Sequence, residues 1–255
     1  MKRTLSILLL FVTITTLAQT TKDTQNPMLN HAMSFLGTKY VAHRLDQCKE
    51  ETLITDTGAV DCLTLVEYVL AKSLNSPFEP TVQKIRYRNG KINGYSSRLH
   101  YTSEWIENNL KNGYLTDVTA AHSAETLKLD LSYMSTHPQA YQQLADFPQN
   151  ISQIKVYEKA LTGKTVHWLP VNKLPDFGLT WIQDGDIIAI VTNLKGLDIA
   201  HLGFAIRRNG NLHLLHASST LGKVVISEQS IRNMIEQNKL WTGIRVLRLK
   251  TDTSH

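Results

Sequence analysis

The pair Asn209-Gly210, set between the apolar runs Ala200-His201-Leu202-Gly203-Phe204-Ala205-Ile206 and Leu212-His213-Leu214-Leu215-His216-Ala217, constrains this chain more than any other feature. Asn-Gly between apolar runs is the strongest short-range signal for a β-hairpin, because both residues tolerate the positive φ of a type I′ turn. With Asn209 and Gly210 at the centre of the turn, Arg208 pairs with Asn211. Counting back, Gly203 faces His216 and His201 faces Ser218. Side chains alternate along a strand, so His201 and His216 emerge on one face as diagonal neighbours about 7 Å apart at the backbone, while His213 goes to the other face. Gly203 would leave that face open to a packing partner. A three-residue loop would instead move His216 behind the sheet.

The expected packing partner carries a thiol. Cys62, Leu65, Val66 and Val69 repeat at three- and four-residue spacing and share one helical face, with Asp61 as the N-cap. A helix start offers unpaired amide N–H groups and a positive dipole end, which draw a cysteine pKa from about 8.5 toward neutrality. Free cysteine is equally a common filler of apolar gaps. The two histidines tip the balance, because a thiol, an imidazole and a second group that fixes the ring tautomer are what thiol-based acyl transfer needs. His201 is the expected base, His216 its orienting partner, and the Cys62 N–H a donor to the oxyanion.

These residues resemble the NlpC-type cell-wall cysteine peptidases of the papain-like superfamily. That group has an Asp-Cys pair opening a helix, a His-x-Gly strand and a following strand that often reads His-Ala; here they are Asp61-Cys62, His201-Leu202-Gly203 and His216-Ala217. Gly37-Thr38-Lys39-Tyr40 is similar to the Gly-x-Pro-Tyr segment of the group, which implies active-site support from Tyr40, with Lys39 in place of the proline. Cys62-Leu63-Thr64 departs from the usual Cys-Ser-Gly, and the interval from cysteine to histidine is long. Those departures are similar to the N-acetylmuramoyl-L-alanine amidase-like family, with its Cys-x-Thr-x-Val-Glu helix (Cys62 to Glu67) and Arg-x-His-Tyr before a Trp (Arg98 to Tyr101, then Trp105). The resemblance implies an exported cysteine amide hydrolase acting on peptidoglycan or muropeptides. The bond it implies joins N-acetylmuramic acid to L-alanine; the wider group cuts between D-glutamate and a diamino acid. Arg98, Tyr101 and Trp105 are candidate substrate-binding residues, Arg98 through a carboxyl group. Tyr101 and Trp105 fit core positions equally well.

The N-terminus sets the expected compartment. Lys2 and Arg3 precede an apolar run over residues 5–17, and Thr16-Leu17-Ala18 offers a cleavage site, so residues 1–18 read as a signal peptide. The segment is too short to span a bilayer, so no stable membrane association is expected. Residues 19–255 then form a single domain, with a helical insertion around 75–180, working as a monomer in the periplasm or outside the cell. The formal charge of +5 comes without a basic block interleaved with aromatics, which argues against nucleic-acid binding.

Two other uses of the same residues compete. An oxidising compartment makes a Cys48–Cys62 disulfide the default arithmetic, but it would need a tight return from a polar loop to the head of an inward-facing helix. Zinc ligation by His201, His216 and Asp186 lacks any His-Glu-x-x-His, so no metal or cofactor is expected. A non-catalytic module that binds wall fragments is the remaining alternative.

The secondary-structure pattern is α+β. Helices are expected after Asn26-Pro27, from Asp61, over 102–110 and through much of 120–150. Strands are expected at 186–191, 200–207, 212–217, 223–226 and 243–249, with a helix near 228–237. The resemblance implies a papain-like (NlpC-type) fold for it, with N-terminal helices packed on a mostly antiparallel C-terminal sheet.

Overall fold

The computed structural model describes residues 26–46 and 50–251. The expected signal peptide and Cys48 lie outside the described residues. Asn26 caps α1 (Pro27–Ser34), its side chain accepting from the Met28 and Leu29 amides, with proline at the first helical position where its missing N–H costs nothing. α2 (Cys62–Ser73) opens with a reciprocal cap. The Thr64 N–H donates to the Asp61 carboxylate and the Asp61 N–H donates to Thr64 Oγ1, both at 2.8 Å. From Thr64 to Ala71 every residue of α2 is buried, so this is the central helix of the domain. Within it, Glu67 accepts from Arg86 Nε at 2.7 Å; Arg86, at the end of α3 (Phe78–Arg86), also donates to the Ile54 carbonyl at 2.7 Å. A fully buried ion pair is tolerated only with its partners in place, so it fixes α3 against α2.

The main sheet is antiparallel except at one edge. Its order is β2 (Ala59–Val60), β1 (Lys39–Tyr40), β10 (Lys223–Ser230), β9 (Asn211–Ser218), β8 (Ile199–Arg208), β7 (Ile187–Thr192), β11 (Trp241–Leu249) and β3 (Leu115–Asp117), with β1 and β2 parallel. β6 (Leu169–Pro170) also pairs with β11, and β4 (Thr126–Lys128) and β5 (Thr165–His167) form a separate ladder. The hairpin register is as expected. Asn209 and Gly210 have φ of 50° and 81°, and the pairs run from Arg208–Asn211 to Phe204–Leu215.

Each face of the sheet is covered. Ile187, Ala189, Leu202, Phe204 and Leu215 pack against α1, α2 and α4 (Thr102–Lys111). Ile188, Ile190, Ala205, Leu214 and Val246 pack against Ile231 and Ile235 of α9 (Ile231–Gln237). The expected cover of N-terminal helices thus accounts for one face only.

The stretch 120–150 differs from expectation. It holds β4 and the short helices α6 (Tyr133–Thr136) and α7 (Gln142–Ala145), following α5 (Val118–His122); a long helix starts only at α8 (Gln149–Leu161). Pro138 and Pro148 interrupt the segment, and its sparse apolar residues serve instead a local cluster with Tyr95, Tyr101, Ile154 and Leu161. β3, β6 and α4, which also fall within 75–180, are built into the main sheet and core.

Candidate active site

Cys62 is the first residue of α2, half-buried and free of any disulfide. The backbone amides of Leu202, Leu63 and Cys62 act in favour of its thiolate. Burial nonetheless pushes the thiol up to about 12, with the Asp61 carboxylate adding to the rise. The expected pull toward neutrality is therefore reversed. A helix terminus contributes up to about 2 kcal/mol, whereas burial moves a pKa by up to about 3–5 units, and here the cap that builds the helix start also brings a negative charge.

His201 and His216 come together on β8 and β9. His201 Nε2 and His216 Nδ1 share a hydrogen bond of 2.8 Å, with the rings nearly perpendicular. Burial, then the neighbouring His216, lowers His201 to about 3; burial lowers His216 to about 4. Both rings therefore rest neutral at physiological pH, and so does the thiol. Leu202, whose amide favours the Cys62 thiolate, directly follows His201 in the strand. β8 thus carries one member of the histidine pair and an amide that acts on the thiol at consecutive residues.

His213 is separate from this pair, with its Nδ1 bonded to the Ser227 carbonyl at 2.9 Å. Gly203 does not serve to admit α2. A Cβ there would lie 2.7 Å from the Leu215 carbonyl oxygen and 2.8 Å from Leu214 Cγ, so the missing side chain makes room for Leu214 within the hairpin.

A cleft of about 380 Å³ opens over the thiol, lined among others by Tyr40, Asp61, Cys62, Arg98, His100 and Ala200. Tyr40 is held as a neutral phenol by burial and by its closeness to Cys62 and Asp61. Arg98 reaches the cleft, but its charge is already engaged: it bonds the Asp46 carboxylate and lies 3.5 Å from Glu51. Burial raises the Glu51 carboxyl, against the pull of Arg98 and a hydrogen bond from Tyr87. Arg98 can therefore only share itself with a substrate carboxyl group. His100 was not anticipated at this site, although it lies within the Arg-x-His-Tyr segment. Its Nε2 meets the Tyr95 carbonyl at 2.8 Å, and burial and Arg98 hold it well below the ordinary histidine range.

His201 and His216 are not among the residues that line the cleft, which β8 reaches through Ala200, and Tyr101 and Trp105 are packed elsewhere. The Tyr101 hydroxyl donates to Glu158 at 2.7 Å and accepts from the Met134 amide at 3.0 Å, in the cluster around α8. Trp105 is fully buried in the main core. Asp186 stands apart from the histidines and is gripped by Arg248 through two bonds of 2.7 Å. No group of three or more His, Cys, Asp or Glu side chains among the described residues is arranged to hold a metal ion.

Residues 30–244 match the model of a family described as N-acetylmuramoyl-L-alanine amidase-like. The chain belongs to this amidase-like family. A crystal structure of an N-acetylmuramoyl-L-alanine amidase from Bacteroides uniformis is 50% identical, with 89% of this chain and 100% of that one covered and a TM-score of 0.87. A Bacteroides fragilis structure, described provisionally as a xylanase, is also 50% identical, with 87% and 100% covered and a TM-score of 0.85. A Legionella pneumophila protein shares the fold at 23% identity, with 88% of each chain covered and a TM-score of 0.65. No curated protein matches the sequence. Membership supports an amidase-like hydrolase of peptidoglycan-type substrates at the level of the family.

Proposed function

We propose that this amidase-like protein is a cysteine amide hydrolase of papain-like, NlpC-type architecture, which cuts the bond between N-acetylmuramic acid and L-alanine in peptidoglycan or muropeptides. The observation that carries the reading is the hydrogen-bonded His201–His216 pair on β8 and β9, with Leu202, whose amide favours the Cys62 thiolate, next to His201 in the strand. His216 occupies the His201 Nε2 side, leaving Nδ1 as the proton-transfer atom. The neutral resting forms favour general-base activation over a preformed ion pair. His201 takes the thiol proton as sulfur attacks the amide carbonyl, and the Cys62 N–H donates to the oxyanion. The C–N bond then breaks, with His201 returning its proton to the leaving L-alanine amine. Water attacks the thioester with His201 again as base, freeing the lactyl carboxylate and the thiol. Tyr40 and Arg98 border the same cleft and would position the substrate.

The xylanase description of one relative finds little support in the cleft. Glycoside hydrolysis needs two available carboxyl groups, whereas Asp46 is bonded to Arg98 and Asp61 caps α2. Export by residues 1–18 would bring the enzyme to its polymer. Among the described residues no helix is long and apolar enough to cross a membrane.

The test is mass spectrometry of products from defined muropeptides treated with the wild type and with Cys62→Ala. Free peptide beginning at L-alanine, absent with the variant, is the expected result. Cleavage after D-glutamate would keep the mechanism and move the bond. No cleavage by either protein would overturn the enzyme reading in favour of a binding module.

A further inference from the structure

His201 is held from two directions. A hydrogen bond at one ring nitrogen fixes a point but leaves the plane free to rock, because the terminal torsion of histidine is broad. The second restraint is Trp241, whose indole lies within 11° of parallel to the imidazole with ring centroids 5.8 Å apart.

Two strand irregularities produce this stack. Opposite Ile190 and Val191, β8 carries the unpaired extra residue Ala200; opposite Val191 and Thr192, β11 carries the extra residue Thr242. Both bulges flank the same end of β7, and a bulge turns its strand and re-aims the neighbouring side chain. The peptide group that enters Trp241 is pinned at both its N–H and its carbonyl. Its N–H donates to the Asn238 carbonyl at 3.0 Å, and the Leu240 carbonyl accepts from Thr192 Oγ1 at 2.8 Å and from the Asn193 N–H at 2.9 Å. At Gly243 a Cβ would lie 2.9 Å from both Trp168 Cε3 and Pro170 Cα, so β6 can close over this end of β11 only because the residue is glycine. The indole is thus built into the frame, and it meets the one ring that the chemistry requires to hold still.

We propose that Trp241 is a positioning residue for amide cleavage, fixing the plane of the His201 imidazole and steadying the imidazolium that forms when the thiol gives up its proton; this rests on the reading of His201 as the base. An aromatic face within about 6 Å attracts a cation, tryptophan most strongly. The imidazolium exists only after proton transfer, so the indole favours the transition state over the bound substrate. Its loss therefore lowers kcat and leaves KM in place.

The experiment compares the full chain as wild type, Trp241→Leu and Trp241→Phe, on the muropeptide that the wild type cleaves and by ¹H–¹⁵N spectra of the histidine rings. Trp241→Leu should lower kcat about tenfold, within the range of a cation–π contact, with KM unchanged. Trp241→Phe should recover most of the loss. The His201 ring signals should lose their upfield displacement and broaden in the leucine variant. Unchanged kcat in Trp241→Leu, or equal losses in both variants together with a lowered Tm, would overturn the proposal. Should the wild type and Cys62→Ala both prove inactive, the base assignment falls, while the spectra still judge Trp241: wild-type shifts and widths in Trp241→Leu would reject it.

Discussion

Two groups of buried polar residues, one lining the cleft and one on the strands next to it, solve the same problem in opposite ways. Around Arg98, charge is kept and paired, with Asp46 and Glu51 facing one guanidinium. At His201 and His216, charge is given up; burial drives both imidazoles neutral and one hydrogen bond joins them. Paired ions make a rigid wall. A neutral pair costs less to bury and can still receive a proton, which a catalytic base must do. The contrast separates the part of the site built to stay fixed from the part built to change state.

The largest effects should divide along that line. His201→Ala removes the base without stranding a charge, so turnover should fall by at least about 10³-fold while the Tm stays close to that of the wild type. Arg98→Ala leaves Asp46 and Glu51 facing each other without their cation, so unfolding should become easier by about 3–5 kcal/mol, measured by urea denaturation. If His201→Ala destabilised the chain as much as Arg98→Ala did, the division between the two groups would collapse.

A smaller effect tests the pair from within. His216→Ala should lower turnover by about 10–100-fold, the range for loss of an orienting partner, because the nucleophile and base remain. His213→Ala should leave turnover intact and cost about 1 kcal/mol of stability for its bond to the Ser227 carbonyl. Equal losses of turnover in both variants would contradict the hairpin geometry.

The sequence discloses one of these two groups and conceals the other, and the reason lies in range. The hairpin is written locally: Asn209-Gly210 dictates the turn, the turn dictates the register, and the register puts His201 beside His216. The start of α2 is equally local, since Asp61 and Thr64 are three residues apart. Arg98, Asp46 and Glu51 are joined only by the folded chain, and no spacing connects them. β1, β2 and β3 are two or three residues long; β1 forms along β10, β3 along β11, and β2 along β1. Trp241 reaches His201 through two bulges, each inserting a residue that no alternation pattern reveals. The sign of the Cys62 shift was concealed too, because a sequence shows the helix start and not the depth of burial around it.

That shift gives a pH test of the neutral pair. An ion pair would make Cys62 react with iodoacetamide at a rate already level near neutrality; a thiol raised to about 12 should react at a rate still climbing above pH 9. Stability follows with a definite sign. Unfolded, His201 takes up its proton near 6.5, and folded only near 3, so the unfolded state binds more protons in between and stability falls as pH drops through that window. Cys62 acts at the other end. The folded thiol keeps a proton that the unfolded chain releases from about 9 upward, so stability also falls as pH rises past 9. A reaction rate level from pH 6 to 9 would show that charge is held in this part of the cleft as well.

The smallest effect isolates the one charge that touches the neutral side. Asp61 holds two roles: its carboxylate caps α2 through the Thr64 amide, and its charge adds to the rise at Cys62. Asp61→Asn keeps an acceptor for the cap, and asparagine is as good an N-cap as aspartate, so stability should change by no more than about 0.5 kcal/mol. The thiol should then ionise more readily, and alkylation at pH 8 should speed up severalfold. Asp61→Ala should show the same acceleration but lose about 1 kcal/mol with the cap. Faster alkylation in both variants with a stability loss only in the alanine variant would separate the two roles of one carboxylate. Unchanged alkylation in both would mean that burial alone keeps the thiol protonated, and the neutral side of the site would then owe nothing to its charged neighbours.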